Sequence, residues 1–533
     1  MTITHYRAKN RLAAYRKQLV AQGEKLTSGE LSPRVPESQS NGAQNLMAAA
    51  APLGLSNSNY LPIATMMASG HARVSWQQAI LPTKDMANLW PQFTKEFEDK
   101  RDAIAKVRTA LEKPVLFFPL NYNQGFSILL PHLARLKMIE FLLAFSALQQ
   151  LRQTNSVEAW KDLRASGVLV RSFGQAEPLA ISQLVRTAMA NIGINTTWEA
   201  LQYQGWTEEQ LAGLQQIWDS FSLLDELEPS LAMERSMGQE LFPFVRDSFG
   251  NVQSVTGLGS VGTTQSGFSE LAELGKGLVN DPVEGFQAVL NRYPRYWAWK
   301  GWWSYDEEIC YLEGYQAGID AIRVARKSQA WAMAVKELNN NLNNVRKSHF
   351  KVEKRYLLGA TDWNTSNFLL KIADAETARR LLVTAIALKR YQLKNGAYPK
   401  ELRLLVPDYL TAVPIDLMDG KTVRYRANAD GTFLLYSVGE DGKDNGGDTS
   451  EKEPQPTSGR MPRHAPWFKR RDAVWPVPAS AEEVKAYQDQ VLKNWKMKEE
   501  FRKQIPTNLT GSNAMQLFRE RYGVSPSAPA KTN

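Results

Sequence analysis

Between Leu129 and Gln153 the chain reads LLPHLARLKMIEFLLAFSALQQLRQ. Leu133, Leu136, Ile139, Leu143 and Leu148 recur there at near-helical spacing, with no Gly or Pro after Pro131. That period predicts a helix with a broad apolar face. A second helical stretch follows at Ser156–Leu163, and the segments EPLAISQLVRTAMANIGINTTWEALQ and TEEQLAGLQQIWDSF continue the pattern. In the latter, Thr207 precedes Glu208 and Glu209, an N-cap with acids in the first turn. Successive helices with short polar connectors describe stacked helical hairpins. The first 25 or so residues read as a basic amphipathic helix with Leu12, Tyr15 and Leu19 on one face.

The pattern is interrupted twice. From Thr27 to about Gly70, Ser, Pro, Asn and Gly dominate, which predicts an extended arm over the body or a partly mobile leader. Residues 246–280 are rich in Gly, Ser and Thr, and Gly257, Gly259 and Gly262 spell G-x-G-x-x-G. A dinucleotide fingerprint needs an apolar strand before it and a helix after it. Neither is present, so the segment reads as a loop. Helical text resumes at Glu284–Leu290 and from Asp306 to Asn344. Between these stand Tyr293, Tyr296, Trp297, Trp299, Trp302, Trp303 and Tyr305. Such rings either wedge between helices as core or form a sugar-stacking or protein-binding platform.

The last third changes character. AETARRLLVTAIALKRYQLKN is helical and ends at Asn395-Gly396, and a short second helix is predicted over Pro399–Leu405. TVRYRANADGTFLLYSVG then reads as a hairpin. Val423 and Tyr425 alternate with Arg424 and Arg426, the turn is Asp430-Gly431, and Phe433–Val438 returns. After a linker at about 451–475, Ser480–Lys503 is a charged helix, with Ser480 and Glu483 at capping-box spacing.

The expected fold is therefore mainly α: an irregular helical-hairpin body followed by a small α+β domain with a short antiparallel sheet. The divisions expected are a basic helix and leader (1–70), helical body (71–245) and Gly/Ser/Thr-rich linker or loop (246–280). An aromatic-rich helical region (281–372), the α+β domain (373–450), a linker (451–475) and a charged helix with tail (476–533) complete the chain. A length of 533 residues exceeds one ordinary core, and 43% apolar with 22% charged residues marks a globular chain. One cysteine, Cys310, excludes an internal disulfide framework and a Cys-cluster metal site. The net charge of +9 is spread over several clusters, the richest being Arg7, Lys9, Arg11, Arg16 and Lys17. No nucleic-acid-binding motif accompanies it, so no nucleic-acid partner is expected. No apolar run is long enough to cross a membrane, and MTITHYRAKNRLAAYRKQL lacks the apolar core of a signal peptide.

The run YQLKNGAYP, LVPDYL, VPIDLMDGKTVRYR, FLLYSVGEDGKDNGGD resembles the soluble part of the type II secretion major pseudopilin over roughly residues 375–450. A helix ends before Tyr398-Pro399, Pro414 and Asp416 lead into a hairpin, and Ser-x-Gly-x-Asp-Gly opens an acidic loop. The resemblance implies a calcium-binding loop. Its ligands would fall on Asp441 and Asp448, then Asp444 and Asn445, with backbone carbonyls near Tyr436–Val438 completing the set a hard cation needs. A solvated turn filled by Gly and Asp is the other reading of the same residues. The pseudopilin's apolar N-terminal stem and prepilin cleavage site have no counterpart before the helix at 375–395. The whole chain is similar to large planctomycete and verrucomicrobial envelope proteins with this ending, which usually carry an N-terminal anchor just before a stretch like YRKQLVAQGEKL. That similarity implies an envelope or periplasmic location, protein partners there, and membrane association through an anchor upstream or lost. A cytoplasmic location is the alternative.

No catalytic constellation emerges. The five histidines are scattered, and no G-x-S-x-G elbow or P-loop occurs. The best acidic cluster is Asp306, Glu307, Glu308 and Glu313, but Asp306–Glu308 start a helix, where acids favour the positive end of the dipole. Two functions stay open. One is a non-enzymatic envelope- or secretion-associated interaction protein with a calcium-stabilised module. The other is a glycan-binding or carbohydrate-active protein using Trp297, Trp299, Trp302, Trp303 and Tyr305 in the segment 293–315.

Overall fold

The computed structural model describes residues 2–34, 42–53, 66–68, 70–81, 88–112, 116–174, 177–251, 296–349, 365–450 and 471–504. Gly257, Gly259, Gly262, Glu284–Leu290, Tyr293, most of the expected 451–475 linker and the tail beyond residue 504 lie outside them. Among the described residues helices dominate, and strands are confined to two small three-stranded sheets. None of these helices is long and apolar enough to cross a membrane.

The body is built as the periodicity predicts. Helix α1 spans Thr2–Ala21, α2 Gly42–Ala50 and α3 Trp90–Leu111. Helices α4 (Pro131–Arg152) and α5 (Ser156–Gly174) form an antiparallel hairpin with α6 (Ala180–Ala200) packed on both. The expected Ser156–Leu163 helix thus runs eleven residues further, because Val168, Leu169, Val170 and Phe173 extend the buried face. Helix α7, Glu208–Asp219, begins with a capping box in which the Thr207 hydroxyl and the Gln210 amide satisfy each other's backbone N–H. Gly193 of α6 lets α5 and α7 approach: a Cβ there would lie 2.6 Å from Ser166 Oγ and 2.9 Å from the Trp218 ring.

Helix α8 (Leu227–Asp247) packs along α9 (Ser304–Ser328), which folds back into α10 (Trp331–His349). The text Asp306–Asn344 reads as one helix but breaks at Gln329, which takes a left-handed conformation. The break is set from outside: the N–H groups of Trp331 and Ala332 donate to the carbonyls of Leu417 and Met418 at 2.6 and 3.1 Å. Those carbonyls belong to the C-terminal α+β region and cap α10.

Helix α11, Thr365–Asn395, leads into that region. Of the expected helix over Pro399–Leu405 only a 3₁₀ turn at Leu402–Leu405 forms. The Pro399 carbonyl, which a helix would use internally, instead accepts from the Tyr425 phenol at 2.6 Å. Strands β3 (Arg424–Ala427) and β4 (Phe433–Ser437) make the predicted hairpin. A third strand, β5 (Ala473–Val474), pairs antiparallel with β4. Within the expected linker, therefore, residues 473–474 are structural. The other sheet joins β1 (Met66–Ala68) and β2 (His71–Ala72) to β6 (Val477–Pro478), with β2 and β6 parallel. Helix α12, Ala481–Gln504, follows β6, and its Ser480–Glu483 capping box is formed.

One apolar cluster runs from Leu136 and Trp198 in the body through Leu381, Ile386 and Leu388 of α11 to Leu435 and Val438. The α+β region has no core separate from the body. A smaller cluster holds Leu12 of α1 with Phe242, Tyr296, Trp299 and Tyr311.

Candidate functional site

The acidic loop leaves β4 at Val438. Asp441 accepts the Lys443 N–H at 3.1 Å, and Asp448 accepts the Ser450 N–H and hydroxyl at 2.9 Å each. Both are Asx-type turns. Asp444 accepts the Gly446 N–H at 3.0 Å, the Tyr436 phenol at 2.9 Å and Arg424 Nε at 3.1 Å. The Asn445 side chain donates to the Lys443 carbonyl. These four predicted ligands share a loop but do not converge. Among the described residues no three His, Cys, Asp or Glu side chains form a group able to hold a metal ion.

Two other groups stand at the centre. The Arg424 guanidinium lies among Asp416, Asp419 and Asp444, at 3.3, 2.6 and 3.1 Å. Asp416 is buried and takes the Ser437 hydroxyl and the N–H groups of Val438 and Met418. The second group is Asp472, next to β5. Its buried carboxylate accepts N–H from Asn445, Gly447 and Asp448 at 3.1, 2.7 and 3.1 Å. Burial pushes the Asp472 carboxyl up, and these three N–H groups oppose it. The loop's backbone therefore presents donors to an anion where a calcium ion would want carbonyl and carboxylate oxygens. The loop's carboxylates are oxygen donors of the kind calcium takes, but here they are turned to separate partners.

The aromatic segment divides. Trp299 is fully buried, its indole N–H donating to the Glu307 carboxylate, and Tyr296 beside it donates to the carbonyls of Val245 and Arg246. These two are core. Tyr305 is half-buried, with the Arg246 guanidinium 4.1 Å from its ring centroid and His5 edge-on at 5.0 Å. Trp297 and Trp302 remain 46% and 52% exposed. A π-turn over Trp299–Trp303 leads into α9, and the rings of Trp302 and Trp303 lie near-parallel, 27° apart with centroids at 6.5 Å. Such turns are often found at functional sites.

Helix α1 forms the opposite wall. Arg7, Asn10, Arg11 and Ala14 lie at three- and four-residue steps along one face of it. With Trp302, Trp303 and Asp306 they line a cavity of about 1000 Å³. Helix α1 is fixed there by Arg11 on Asp306 at 2.6 Å, Arg16 on Glu308 and His5 on the Gly301 carbonyl at 3.0 Å. Glu308 also pairs with Arg246. The acids at the start of α9 are thus tied down by neighbouring cations or, for Glu307, by an indole.

Two functional features escaped sequence reasoning. Asp472 carried a faint signal as the acid preceding the apolar AVW. The α1 wall carried one in the spacing of Arg7, Asn10, Arg11 and Ala14, but nothing in the chain pairs it with a segment some 290 residues away.

The remaining perturbed acids lie inside the helical body. Glu140 is fully buried, accepts the Ser166 hydroxyl, and is pushed up to about 8 by burial, with Ser166 opposing. Asp162, bonded to the Ser146 hydroxyl at 2.6 Å, is pushed up to about 7 by burial against the pull of Arg108. A carboxyl whose folded-state pKa is raised favours folding at low pH, and that contribution is lost as pH rises through the folded value. For Glu140 the window runs from about 4.5 to about 8. Glu140→Gln should therefore match the wild type near pH 5 and exceed it by ~1 kcal/mol or more at pH 8. Urea unfolding at the two pH values measures this; an equal offset at both would show that the Glu140 carboxyl is not raised in the folded protein.

No protein-family model matches the chain, and no match was found among curated proteins or among solved structures.

Proposed function

We propose that the chain is a non-enzymatic structural and interaction protein of the cell envelope, a helical scaffold with a pseudopilin-like module set into it. The observation that supports this reading is the covering of α11. Leu381, Leu382, Ala385, Ile386, Ala387 and Leu388 are all buried, and α6, α7, α9 and α10 pack on the helix. In a filament subunit such a helix would have to be free to pack against other copies. Here it is a fixed element whose far end carries the sheet, so the module serves as a rigid outward-facing part of the scaffold. Rigid elements positioning exposed loops are a common basis for partner recognition. In this reading the acidic loop is held by Arg424 and Asp472, and its exposed residues are available to a protein partner.

The test combines fractionation of the native cells with crosslinking from the acidic loop, using a photoreactive residue at Asp441. Recovery with the envelope fraction and a defined protein adduct at that position are expected. Recovery in the cytosolic fraction alone, or adducts no different from those formed at an unrelated surface position such as Lys106, would overturn the proposal.

A further inference from the structure

The cavity between α1 and the tryptophan turn has the makings of a ligand site, and its chemistry narrows the ligand. Its volume of about 1000 Å³ stands at the upper end of the range for small-molecule pockets. One wall is the near-parallel pair Trp302 and Trp303. Although Trp303 is only half-buried, its indole nitrogen is inaccessible to water and has no hydrogen-bond partner among the described residues. Trp302 is more than half exposed in a fold that fully buries Trp198, Trp218 and Trp299. An exposed indole beside a cavity offers a flat apolar face at low entropic cost.

The opposite wall is polar. Arg7 and Asn10 lie on α1, and Arg11 and Asp306 form an ion pair across the cleft. Arg11 and Asp306 cancel, and Arg16 is engaged by buried Glu308. Arg7 is exposed and has no acidic partner among the described residues. Among the described residues that line the cavity, the net charge is therefore a single positive one.

We infer that this cleft binds an acidic oligosaccharide. A pyranose ring would lie against Trp302, Asn10 and Asp306 would bond its hydroxyls, and Arg7 would pair with a uronate carboxylate. Each element matches an observed group: a flat C–H face for the indoles, hydroxyls for the amide and carboxylate, and one carboxylate for one uncompensated guanidinium. A cationic ligand is disfavoured by Arg7. A single-stranded nucleic acid would also stack on indoles, but tracking its phosphates needs a series of cations, and here Asp306 faces the cleft and only Arg7 is uncompensated.

The test uses the full chain, with a galacturonic acid trimer and neutral cellotriose as probes, read by calorimetry and by tryptophan fluorescence. Three variants are compared: Trp302→Ala, Arg7→Gln and Trp297→Ala. All three residues are exposed, and unchanged melting would show that the fold is intact. The uronate trimer is expected to bind more tightly than cellotriose. Trp302→Ala should weaken both by about tenfold or more, equivalent to ~1.4 kcal/mol. Arg7→Gln should weaken only the uronate, and Trp297→Ala neither. The inference fails if neither sugar binds the wild type, or if Trp302→Ala leaves affinity unchanged. It also fails if Arg7→Gln does not separate the two sugars, or if a thymidine oligonucleotide binds in their place with a steep salt dependence.

Discussion

Replacing Glu376 with alanine is expected to lower the stability of the whole protein by about 3–5 kcal/mol. Glu376 is fully buried on α11. One oxygen accepts Arg379 Nη2 at 2.7 Å and Arg380 Nε at 3.0 Å, and the other accepts Arg379 Nε and the Leu223 N–H, each at 2.9 Å. Arg379 in turn donates to the Trp218 carbonyl and lies 5.6 Å from the Phe221 ring centroid. The network fastens α11 to the end of α7 and the chain that follows it. Removing the carboxylate leaves a buried guanidinium and a backbone N–H without their acceptor, the costly half of a broken buried pair. Burial by itself would raise the Glu376 carboxyl. The charges and hydrogen bonds of Arg379, with Arg380 and the Leu223 N–H, outweigh it and hold the group at about 2. A depressed carboxyl stabilises the fold above its unfolded value and loses that contribution as pH falls through the folded one. The gap between wild type and Glu376→Gln should therefore be widest above about pH 4.5 and narrow toward pH 2. Replacing Glu376 and Arg379 together by Leu and Met should cost far less than either single change. Urea midpoints for the three variants decide it; a loss below ~1 kcal/mol for Glu376→Ala would mean that the pair is not buried in solution.

The helices were legible wherever a local signal sufficed. The leucine spacing of α4, the Thr207 cap of α7, the Asp430-Gly431 turn and the Ser480 capping box each act within a few residues, so each could be read directly. What could not be read were the contacts that decide between alternatives of equal local merit. Nothing in Ser328-Gln329-Ala330 forces a break; the carbonyls of Leu417 and Met418 impose it from nearly ninety residues away. The Pro399 segment has helical text, yet the Tyr425 phenol takes its carbonyl. Composition announced an aromatic cluster but not that Trp299 points inward while Trp302 points out, since that depends on α1 docking alongside. In the acidic loop the candidate ligands were visible, whereas the groups that neutralise and close it, Arg424 and Asp472, come from a strand and from within the expected linker.

The scaffold and the module are mechanically one unit, and the joints between them are polar as well as apolar. The capping of α10 by Leu417 and Met418, the Glu376 network and the Trp198 indole donating to the Pro476 carbonyl at 2.8 Å are three such joints. Each crosses from the body to the C-terminal third. The acidic loop is therefore part of a surface continuous with the body.

Asp472 is the group on which the loop's dependence on an ion can be tested. Asp472→Ala is expected to lower stability by about 2–4 kcal/mol, whereas calcium and chelator should leave the wild-type melting temperature unchanged. The carboxylate is the sole acceptor shown for the N–H groups of Asn445, Gly447 and Asp448. Without it, three partly buried donors in a turn that closes against β5 lose their partner together. Gly447 is held with φ at +86°, and a Cβ there would meet the Leu434 side chain at 2.9 Å, so the turn that presents these donors needs glycine at this position. Asp472→Asn keeps one acceptor oxygen and should lose less than the alanine variant. Neutralising Asp441 or Asp448 by Asn should cost little, since each bonds within its own exposed turn and the Asp448 pair with Arg471 is exposed and long, at 3.8 Å. A calcium-specific rise in melting temperature, abolished by Asp441→Asn and Asp448→Asn, would reverse the assignment. The acidic side chains would then have to turn from their Asx bonds onto the ion, and Asp472 would be a support for a metal loop instead of its lock.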